Sequence, residues 1–270
     1  MQLLRMSGLA GGSLENGLRS LYYRWRPPSD AIGYAIWLFG EAYPYAVFVQ
    51  IGANDGVALD PLRLELERRH WNGLMIEPVP YVFQRLADRY GEHRRIKLVN
   101  AAIADLDGNL PFYSVREPTA GEQLWPWYHA LGSFKKEVVL KHNAFVPDIA
   151  ERIVEIQVPC LSFGTLCAKY GLEQVDLLQI DTEGYDYEIV RSLPFEQHRP
   201  RLIVYEHHHL SAEDRIACRE FLKQQGYCSF EFGLDTAALD ETRLGSRDTA
   251  LLRLFRNTAD QPAPSLKSAG

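Results

Sequence analysis

The stretch that decides the fold is Val47-Phe48-Val49-Gln50-Ile51-Gly52-Ala53-Asn54-Asp55-Gly56. Its first five residues form a largely apolar run that ends at a glycine, which predicts a buried β-strand. The two glycines allow the backbone to turn sharply and to approach a ligand at the carboxyl end of a parallel strand. The spacing differs from the Gly-x-Gly-x-x-Gly of dinucleotide-binding enzymes, and the Gly-Lys-Ser/Thr of a P-loop is missing. A ligand without phosphates is therefore favoured, with an ordinary tight strand-to-helix turn as the alternative.

Outward from this stretch, short apolar runs alternate with helical patterns. Strands are predicted at residues 47–51, 74–76, 96–99, 175–180, 202–205, 230–232 and 251–255. The alternation implies right-handed βαβ units and a parallel sheet with helices on both faces. Because no helix is expected between the last two strands, one antiparallel strand should close the sheet. The predicted fold class is α/β, doubly wound and mostly parallel.

Three segments stand apart from the alternating pattern. Residues 1–44 are expected to be an N-terminal helical appendage, with one helix around residues 14–25 and a second one capped by Ser29 or Asp30. Residues 45–256 would form the main domain, and the Pro-, Ala- and Ser-rich residues 257–270 a flexible tail. Residues 110–161, with a helix near 134–142, are interpreted as an insertion that folds over the ligand crevice.

Composition and charge exclude several classes of protein. The 270 residues are 46 % hydrophobic and 24 % charged, as in an ordinary globular protein, and the net charge of −6 argues against nucleic acid as a partner. The four cysteines show no zinc-like spacing and are expected to be free thiols. No apolar stretch reaches the length of a membrane span. We therefore expect a cytoplasmic protein, and homo-oligomerisation is left open.

The second and third predicted strands end in residues suited to a nucleoside. Glu77 follows the second strand, where a carboxylate can accept hydrogen bonds from both hydroxyls of a ribose, and Pro78 stiffens the turn. Ala101 and Ala102 follow the third strand, where small side chains let an adenine ring lie against the backbone. A surface acid and an ordinary strand end are the respective alternatives.

The strand predicted at 175–180 delivers acidic residues to the same edge of the sheet. Asp181, Glu183 and Asp186 follow it directly, with Gly184 among them. Carboxylates in this position can act as a base or contact an ammonium group. Capping of the next helix is an equally good interpretation for Glu183 and Asp186. A functional role is favoured for Asp181.

The combined motifs resemble the FkbM family of methyltransferases. The resemblance covers residues 45–230 and rests on five motifs in order, namely those at 50–56, 76–78, 100–105, 177–186 and 205–207, with a further similar segment at 131–137 and His142. It implies a class I methyltransferase fold with a seven-stranded sheet, S-adenosylmethionine as donor and an oxygen acceptor. The implied cofactor-binding residues are Gln50, Gly52, Ala53, Asn54, Asp55, Gly56, Glu77, Pro78, Ala101, Ala102 and Asp181. Gln50 and Gln179 depart from the family, which often has an acid and a basic residue there.

Methyl transfer to a hydroxyl requires alignment of the acceptor and a nearby base or divalent metal to remove its proton. The candidate catalytic residues are Asp181, Glu183, Glu206, His207 and His142. A metal site made of Asp181, Glu206 and one histidine is an alternative that we do not favour, because neighbouring histidines on an extended segment cannot all converge on one ion. Trp125, Trp127 and Tyr128 could stack on a sugar or simply pack under a loop.

The function predicted from the sequence is O-methylation, dependent on S-adenosylmethionine, of a hydroxyl on a small molecule, a sugar or a lipid-linked glycan. A divalent-metal-assisted O-methyltransferase and a cofactor-binding module without turnover are the alternatives. The acceptor itself is not predicted, because acceptor pockets in such folds come from the least regular segments.

Overall fold

The computed structural model describes residue 28 and residues 30–259, without the side chains of 257–259. The helix expected at 14–25 and most of the expected tail lie outside the described residues. The strands are, in chain order, β1 (Val47–Ile51), β2 (Asn72–Ile76), β3 (Ile96–Val99), β4 (Ala102–Ile103), β5 (Gly108–Val115), β6 (Gly132–Ser133), β7 (Ile153–Leu161), β8 (Leu177–Ile180), β9 (Leu202–Glu206), β10 (Tyr227–Phe232) and β11 (Asp235–Asp240).

Helices alternate with these strands along most of the chain. They are α1 (Ala31–Ala42), α2 (Arg63–Arg68), α3 (Pro80–Tyr90), α4 (Lys136–Leu140), α5 (Ile149–Arg152), α6 (Phe163–Tyr170), α7 (Asp186–Ser192), α8 (Ala212–Gln224) and α9 (Thr249–Ala259). Short 3₁₀ segments occur at Tyr128–Ala130, Lys141–Ala144, Glu241–Arg243 and Ser246–Asp248. No helix in residues 30–259 has the length and apolar character needed to cross a membrane.

The main sheet has seven strands in the order β3-β2-β1-β8-β9-β11-β10. Every pairing from β3 to β9 is parallel, whereas β11 runs antiparallel to both of its neighbours. The expected class I methyltransferase fold, mostly parallel and seven-stranded with one antiparallel strand, is confirmed. From β1 the chain adds β2 and β3 on one side and later β8 and β9 on the other, so the strand order changes direction between β1 and β8. The carboxyl ends of β1 and β8 therefore lie beside the crevice where such sheets bind ligands.

The prediction of a closing strand at 251–255 is wrong, because these residues belong to α9. Leu251 and Phe255 are fully buried four residues apart, while Arg253 is exposed between them, which is helical periodicity. The antiparallel strand is β11 instead. Its Ala237 and Ala238 have low strand propensity, but pairing with β9 and β10 on both sides overrides that preference.

Apolar clusters lie on both faces of the main sheet. Helices α6, α7 and α8 pack on one face, and α1, α2 and α9 pack on the other. Helix α1 begins after Asp30, whose side chain accepts a hydrogen bond from the Gly33 amide at 2.6 Å, as expected for an N-cap. It buries Ile36 and Phe39 against the sheet. The main sheet therefore lies between two helical layers.

A smaller sheet with the order β4-β7-β5-β6 stands beside the carboxyl edge of the main sheet. Most of it comes from the segment interpreted as an insertion, but β4 and the first two residues of β5 precede residue 110. Between β5 and β7 the chain forms a separate apolar cluster that includes Tyr128, Leu131 and Val139. The helix expected near 134–142 is shorter than predicted, because α4 ends at Leu140 and continues as a 3₁₀ turn.

Candidate active site

A cavity of about 370 Å³ opens at the carboxyl ends of β1, β2, β8 and β9, a volume typical of small-molecule sites. Its other wall comes from residues between β5 and α5. Sequence-predicted residues that line it are Gln50, Gly52, Ala53, Asn54, Glu77, Pro78, Ala101, Ala102, His142, Asp181, Glu183 and Glu206. The fold thus gathers these residues from six separate segments into one place.

The glycine loop brings two strand ends into close contact. Gly52 has φ +79°, and a Cβ atom on it would lie 1.7 Å from the carbonyl oxygen of Asp181. The amides of Gly52 and Ala53 donate to the carbonyl of Ile76 at 3.0 and 2.9 Å. A side chain at position 52 would therefore push β1 away from β8, and glycine is required by space as well as by conformation.

Glu77 is held in one orientation by the backbone. Its two carboxylate oxygens accept hydrogen bonds from the amides of Asn54, at 3.0 Å, and Val79, at 2.8 Å. The residue is 6 % exposed, and burial raises the pKa of its carboxyl to about 7 against these hydrogen bonds. Each oxygen retains a free lone pair, so the carboxylate can still accept hydrogen bonds from a ligand.

Asp55 and Gly56, which were expected to bind the cofactor, lie outside the cavity lining. One oxygen of Asp55 accepts from the amides of Val57 and Ala58, and the other lies 3.0 Å from Nε2 of His129. Although burial raises the pKa of the Asp55 carboxyl, these hydrogen bonds outweigh it and hold the pKa well below its usual range. Asp55 therefore shapes the loop and connects it to the segment that contains His129.

Amide side chains at the floor of the cavity leave acceptors free. The oxygens Oε1 of Gln50, Oδ1 of Asn54 and Oε1 of Gln179 are buried and have no hydrogen-bond partner among the residues that the structure describes. Nε2 of Gln50 donates to Asp60 at 2.8 Å, and Asp60 was missed by the sequence analysis. Since buried acceptors are normally paired, these oxygens indicate a ligand that carries hydrogen-bond donors.

Two further carboxyl groups of the cavity share a strongly acidic environment. Burial, followed by the charges of neighbouring acids, raises the pKa of Asp181 well above its usual value and that of Glu206 to about 11. Glu183, Asp186 and Asp235 contribute to both shifts. Several carboxyls this close together favour a positively charged ligand, because a cation relieves their mutual repulsion.

Glu183 lies between two histidines that come from distant parts of the chain. Its Oε2 atom is 2.9 Å from Nε2 of His209 and 3.6 Å from Nε2 of His142. Burial raises the pKa of the Glu183 carboxyl, but the contacts with both imidazoles outweigh burial and lower it to about 2. The backbone of Glu183 has φ +52°, an uncommon conformation for a residue other than glycine that often marks functional sites.

The structure places His207 away from the cavity. The residue is 3 % exposed, and Nδ1 of its ring lies 2.8 Å from Oγ1 of Thr236 in β11. Burial lowers the pKa of this histidine to about 4. Because side chains alternate along an extended segment, Glu206 faces the cavity and His207 faces the opposite side. His208 and His209, in the turn that follows, line the cavity instead.

An aromatic wall closes the outer side of the cavity. The rings of Trp125 and Trp127 are stacked at 6.0 Å with an interplanar angle of 18°, and Phe145 meets both edge-on. Trp127 also contacts His142, with ring centroids 5.8 Å apart. Tyr128 is buried and donates to the carbonyl of Arg116 at 3.1 Å, so its role is packing. The wall presents flat apolar surface beside the histidines and carboxylates.

Comparisons with known proteins show which proteins the chain resembles. The chain is 25 % identical over 147 residues to 2-O-methyltransferase NoeI of Sinorhizobium fredii (strain NBRC 101917 / NGR234), an alignment that covers 54 % of this chain and 57 % of that protein.

Solved structures of similar shape include methyltransferase FkbM from Methylobacillus flagellatus KT. That match has 11 % identity and a TM-score of 0.44, covering 83 % of this chain and 59 % of that one. Precorrin-6y C5,15-methyltransferase from Geobacter metallireducens GS-15 matches with 13 % identity and a TM-score of 0.37, covering 76 % and 87 %. The family description "Methyltransferase FkbM domain" matches residues 50–228. The chain therefore belongs to the FkbM family of methyltransferases.

Proposed function

We propose that this methyltransferase transfers the methyl group of S-adenosylmethionine to a hydroxyl oxygen of a sugar, either free or part of a small molecule or lipid-linked glycan. The observation that carries the proposal is the single cavity edge that combines Glu77, the glycine loop and the carboxyl groups of Asp181 and Glu206. The similarity to a 2-O-methyltransferase supports oxygen as the acceptor atom. We place the reaction in the cytoplasm, as expected from the free thiols of the chain.

The donor would bind along the floor of the cavity. Glu77 is oriented to accept hydrogen bonds from the ribose hydroxyls, because both of its oxygens are already fixed by backbone amides. Pro78, Ala101 and Ala102 offer a small, apolar surface for the adenine ring. The unpartnered oxygen of Gln50 suits the amino group of the donor, and the acidic edge at Asp181 favours its positive charge.

The acceptor would enter beneath the aromatic wall. Methyl transfer is an in-line displacement at a sulfonium carbon, so the protein mainly aligns the acceptor oxygen and excludes water. Trp125 and Trp127 provide flat surfaces on which the apolar face of a sugar ring can lie. The polar atoms of His142, Glu183 and His209 on the inner side can receive the hydroxyl group and its proton.

Calorimetry with S-adenosylmethionine and its demethylated product, S-adenosylhomocysteine, tests the donor. Wild-type protein should bind both, and Glu77→Ala should weaken binding about tenfold or more, corresponding to ~1.4 kcal/mol. Glu173→Ala is the matched control, because Glu173 is an exposed acid at the opposite end of β8. Absence of binding of both ligands to folded wild-type protein would refute the proposal.

Transfer of an isotopically labelled methyl group tests the acceptor. A panel of sugars, nucleotide sugars and lipid-linked glycans should contain at least one substrate that gains a methyl ether, identified by mass spectrometry. Transfer to nitrogen, or donor binding without transfer to any hydroxyl compound, would contradict the proposed O-methylation. The second result would instead favour a cofactor-binding module.

A further inference from the structure

Three potential ligand atoms converge at the inner wall of the cavity. They are Nε2 of His142, Nε2 of His209 and Oε2 of Glu183, and all lie within 4.8 Å of one another. The residues come from three segments far apart in sequence, the 3₁₀ turn after α4, the loop after β8 and the loop after β9. The tertiary structure thus builds a compact cluster of two imidazoles and one carboxylate.

The contacts within this cluster are not ordinary hydrogen bonds. Oε2 of Glu183 and Nε2 of His142 are both buried, and neither has a hydrogen-bond partner within the described part of the chain. The distance of 2.9 Å between Glu183 and His209 is short, but its direction is not that of an N–H···O bond. Buried polar atoms without partners are rare, and here two of them face the same point.

The surrounding structure holds Glu183 in this position. Its carbonyl oxygen accepts a hydrogen bond from Oγ of Ser133 at 2.7 Å, and Nζ of Lys135 donates to the next carbonyl, that of Gly184, at 2.8 Å. These two bonds fix the left-handed turn that directs the Glu183 side chain into the cavity. On the other side, the ring of Trp127 packs against His142. The cluster is therefore preorganised by groups outside it, as are the ligands of metal sites.

Charge at the cluster also favours a cation. Oε2 of Glu206 lies 3.9 Å from Nε2 of His209 and has no hydrogen-bond partner among residues 30–259. Asp181 lies on the same edge of the cavity. The nearby Lys135 is paired with Glu188 at 2.9 Å. A bound dication would allow these closely spaced carboxyl groups to ionise together.

We propose that His142, Glu183 and His209 bind a divalent transition-metal ion, with Glu206 within reach as a further ligand. Two imidazoles and a carboxylate suit zinc, manganese, iron or cobalt, whereas magnesium and calcium prefer all-oxygen sites. Three protein ligands leave a coordination position open towards the cavity. Binding of the ion stands independently of the proposed function. Its role, which is to lower the pKa of the acceptor hydroxyl placed at the open position, rests on that function.

This cluster differs from the metal site considered from the sequence. Asp181, Glu206 and one histidine were the alternative there, whereas the structure groups Glu183 with two histidines. Histidines adjacent in sequence still do not converge, since only His209 of the three at 207–209 takes part.

The test is titration of chelator-treated full-length protein with Zn²⁺, Mn²⁺ and Mg²⁺, followed by calorimetry. One Zn²⁺ per chain should bind, and Mg²⁺ should bind at least about tenfold more weakly. His142→Ala, His209→Ala and Glu183→Gln should each weaken Zn²⁺ binding about tenfold or more. His208→Ala is the matched control, because His208 also lines the cavity but is not part of the cluster. Visible absorption of bound Co²⁺ should change in the three ligand variants and persist in the control.

Binding of S-adenosylhomocysteine, measured on the same samples, separates this inference from the proposed function. Ligand variants that keep this binding are folded and retain the donor site. No stoichiometric binding of Zn²⁺ to wild-type protein, or unchanged affinity in Glu183→Gln and in a His142→Ala/His209→Ala double variant, would overturn the metal site and leave the donor proposal intact. Zn²⁺ binding without any donor binding would support the metal site and refute the proposed function.

Discussion

Glu77 combines burial with a fixed orientation. Two backbone amides stabilise its charged form, but removal from water costs more, and the pKa of the carboxyl rises to about 7. The charge of Asp55 also raises the pKa of Glu77. The side chain therefore changes its protonation state near neutral pH when no ligand is bound.

Donor binding should depend on pH through Glu77. The carboxylate is the better acceptor for ribose hydroxyls, so affinity for S-adenosylhomocysteine should fall as pH is lowered from 8 to 6, by at most about tenfold per pH unit below the pKa. Glu77→Gln should remove this dependence and leave the titration of the ligand's own groups. Identical pH profiles of wild type and Glu77→Gln, measured by calorimetry, would contradict the assignment.

The carboxyl group of Glu77 also makes the stability of the protein depend on pH. The folded-state pKa of about 7 exceeds the ordinary value of 4.5, so the folded protein binds the proton more tightly than the unfolded chain. The contribution of Glu77 is therefore complete below pH 4.5 and is lost as pH rises through 7. As pH rises over this range, the free energy of unfolding of the wild type should therefore fall relative to that of Glu77→Gln.

Gly52→Ala should separate the ends of β1 and β8. The added Cβ would meet the carbonyl oxygen of Asp181 at 1.7 Å, and the left-handed backbone disfavours any side chain. We expect loss of detectable donor binding together with a lower melting temperature. Gly164→Ala, in α6 with no atoms near the added Cβ, is the control and should retain both. Normal donor affinity in Gly52→Ala would contradict the close approach of these two loops.

At the scale of elements, α9 shows how context decides secondary structure. Its run of Leu251, Leu252, Leu254 and Phe255 is as apolar as a short buried strand. The exposed Arg253 and Arg256 restrict burial to one helical face, which packs against α1 and the sheet. Short apolar runs are ambiguous between the two structures, and the neighbouring surface resolves the ambiguity.

Phe255→Ala should destabilise the protein strongly. The ring is fully buried and lies between Phe230 and Phe232 of β10, with centroid distances of 4.7 and 5.8 Å. Removal of a buried phenylalanine costs about 3–5 kcal/mol through lost burial and the remaining cavity. Chemical denaturation should show this loss, and the exposed Arg253→Ala should stay within about 0.5 kcal/mol of wild type. A small effect of Phe255→Ala would mean that α9 does not belong to the core.

At the scale of the whole molecule, the site lies between two sheets. The main sheet provides Glu77, the glycine loop and Asp181, whereas the smaller sheet and its connections provide the aromatic wall and His142. The contact of 3.0 Å between Asp55 and His129 is one of several that join the two parts. Donor and acceptor would thus contact different layers of the molecule, and substitutions can separate their affinities.

Trp127→Ala should weaken acceptor use more than donor binding. The ring stacks on Trp125 and packs against His142, but belongs to the wall rather than to the loops around Glu77. We expect the KM for the acceptor to rise about tenfold, corresponding to ~1.4 kcal/mol, while affinity for S-adenosylhomocysteine changes little. A conservative Trp127→Phe should recover most of the loss. Equal losses of donor and acceptor affinity would place the wall in the donor site.

The sequence by itself determined the parallel α/β order and the strand ends that meet the cavity, because hydrophobic periodicity and glycine spacing are local signals. The family followed from the resemblance of five ordered motifs to its members. It did not show that Asp55 would bond to His129, that His207 would face β11 rather than the cavity, or that α9 would be a helix. Nor could it bring His142, Glu183 and His209 together. These outcomes depend on contacts between segments distant in sequence, and such contacts exist only once the two sheets have packed.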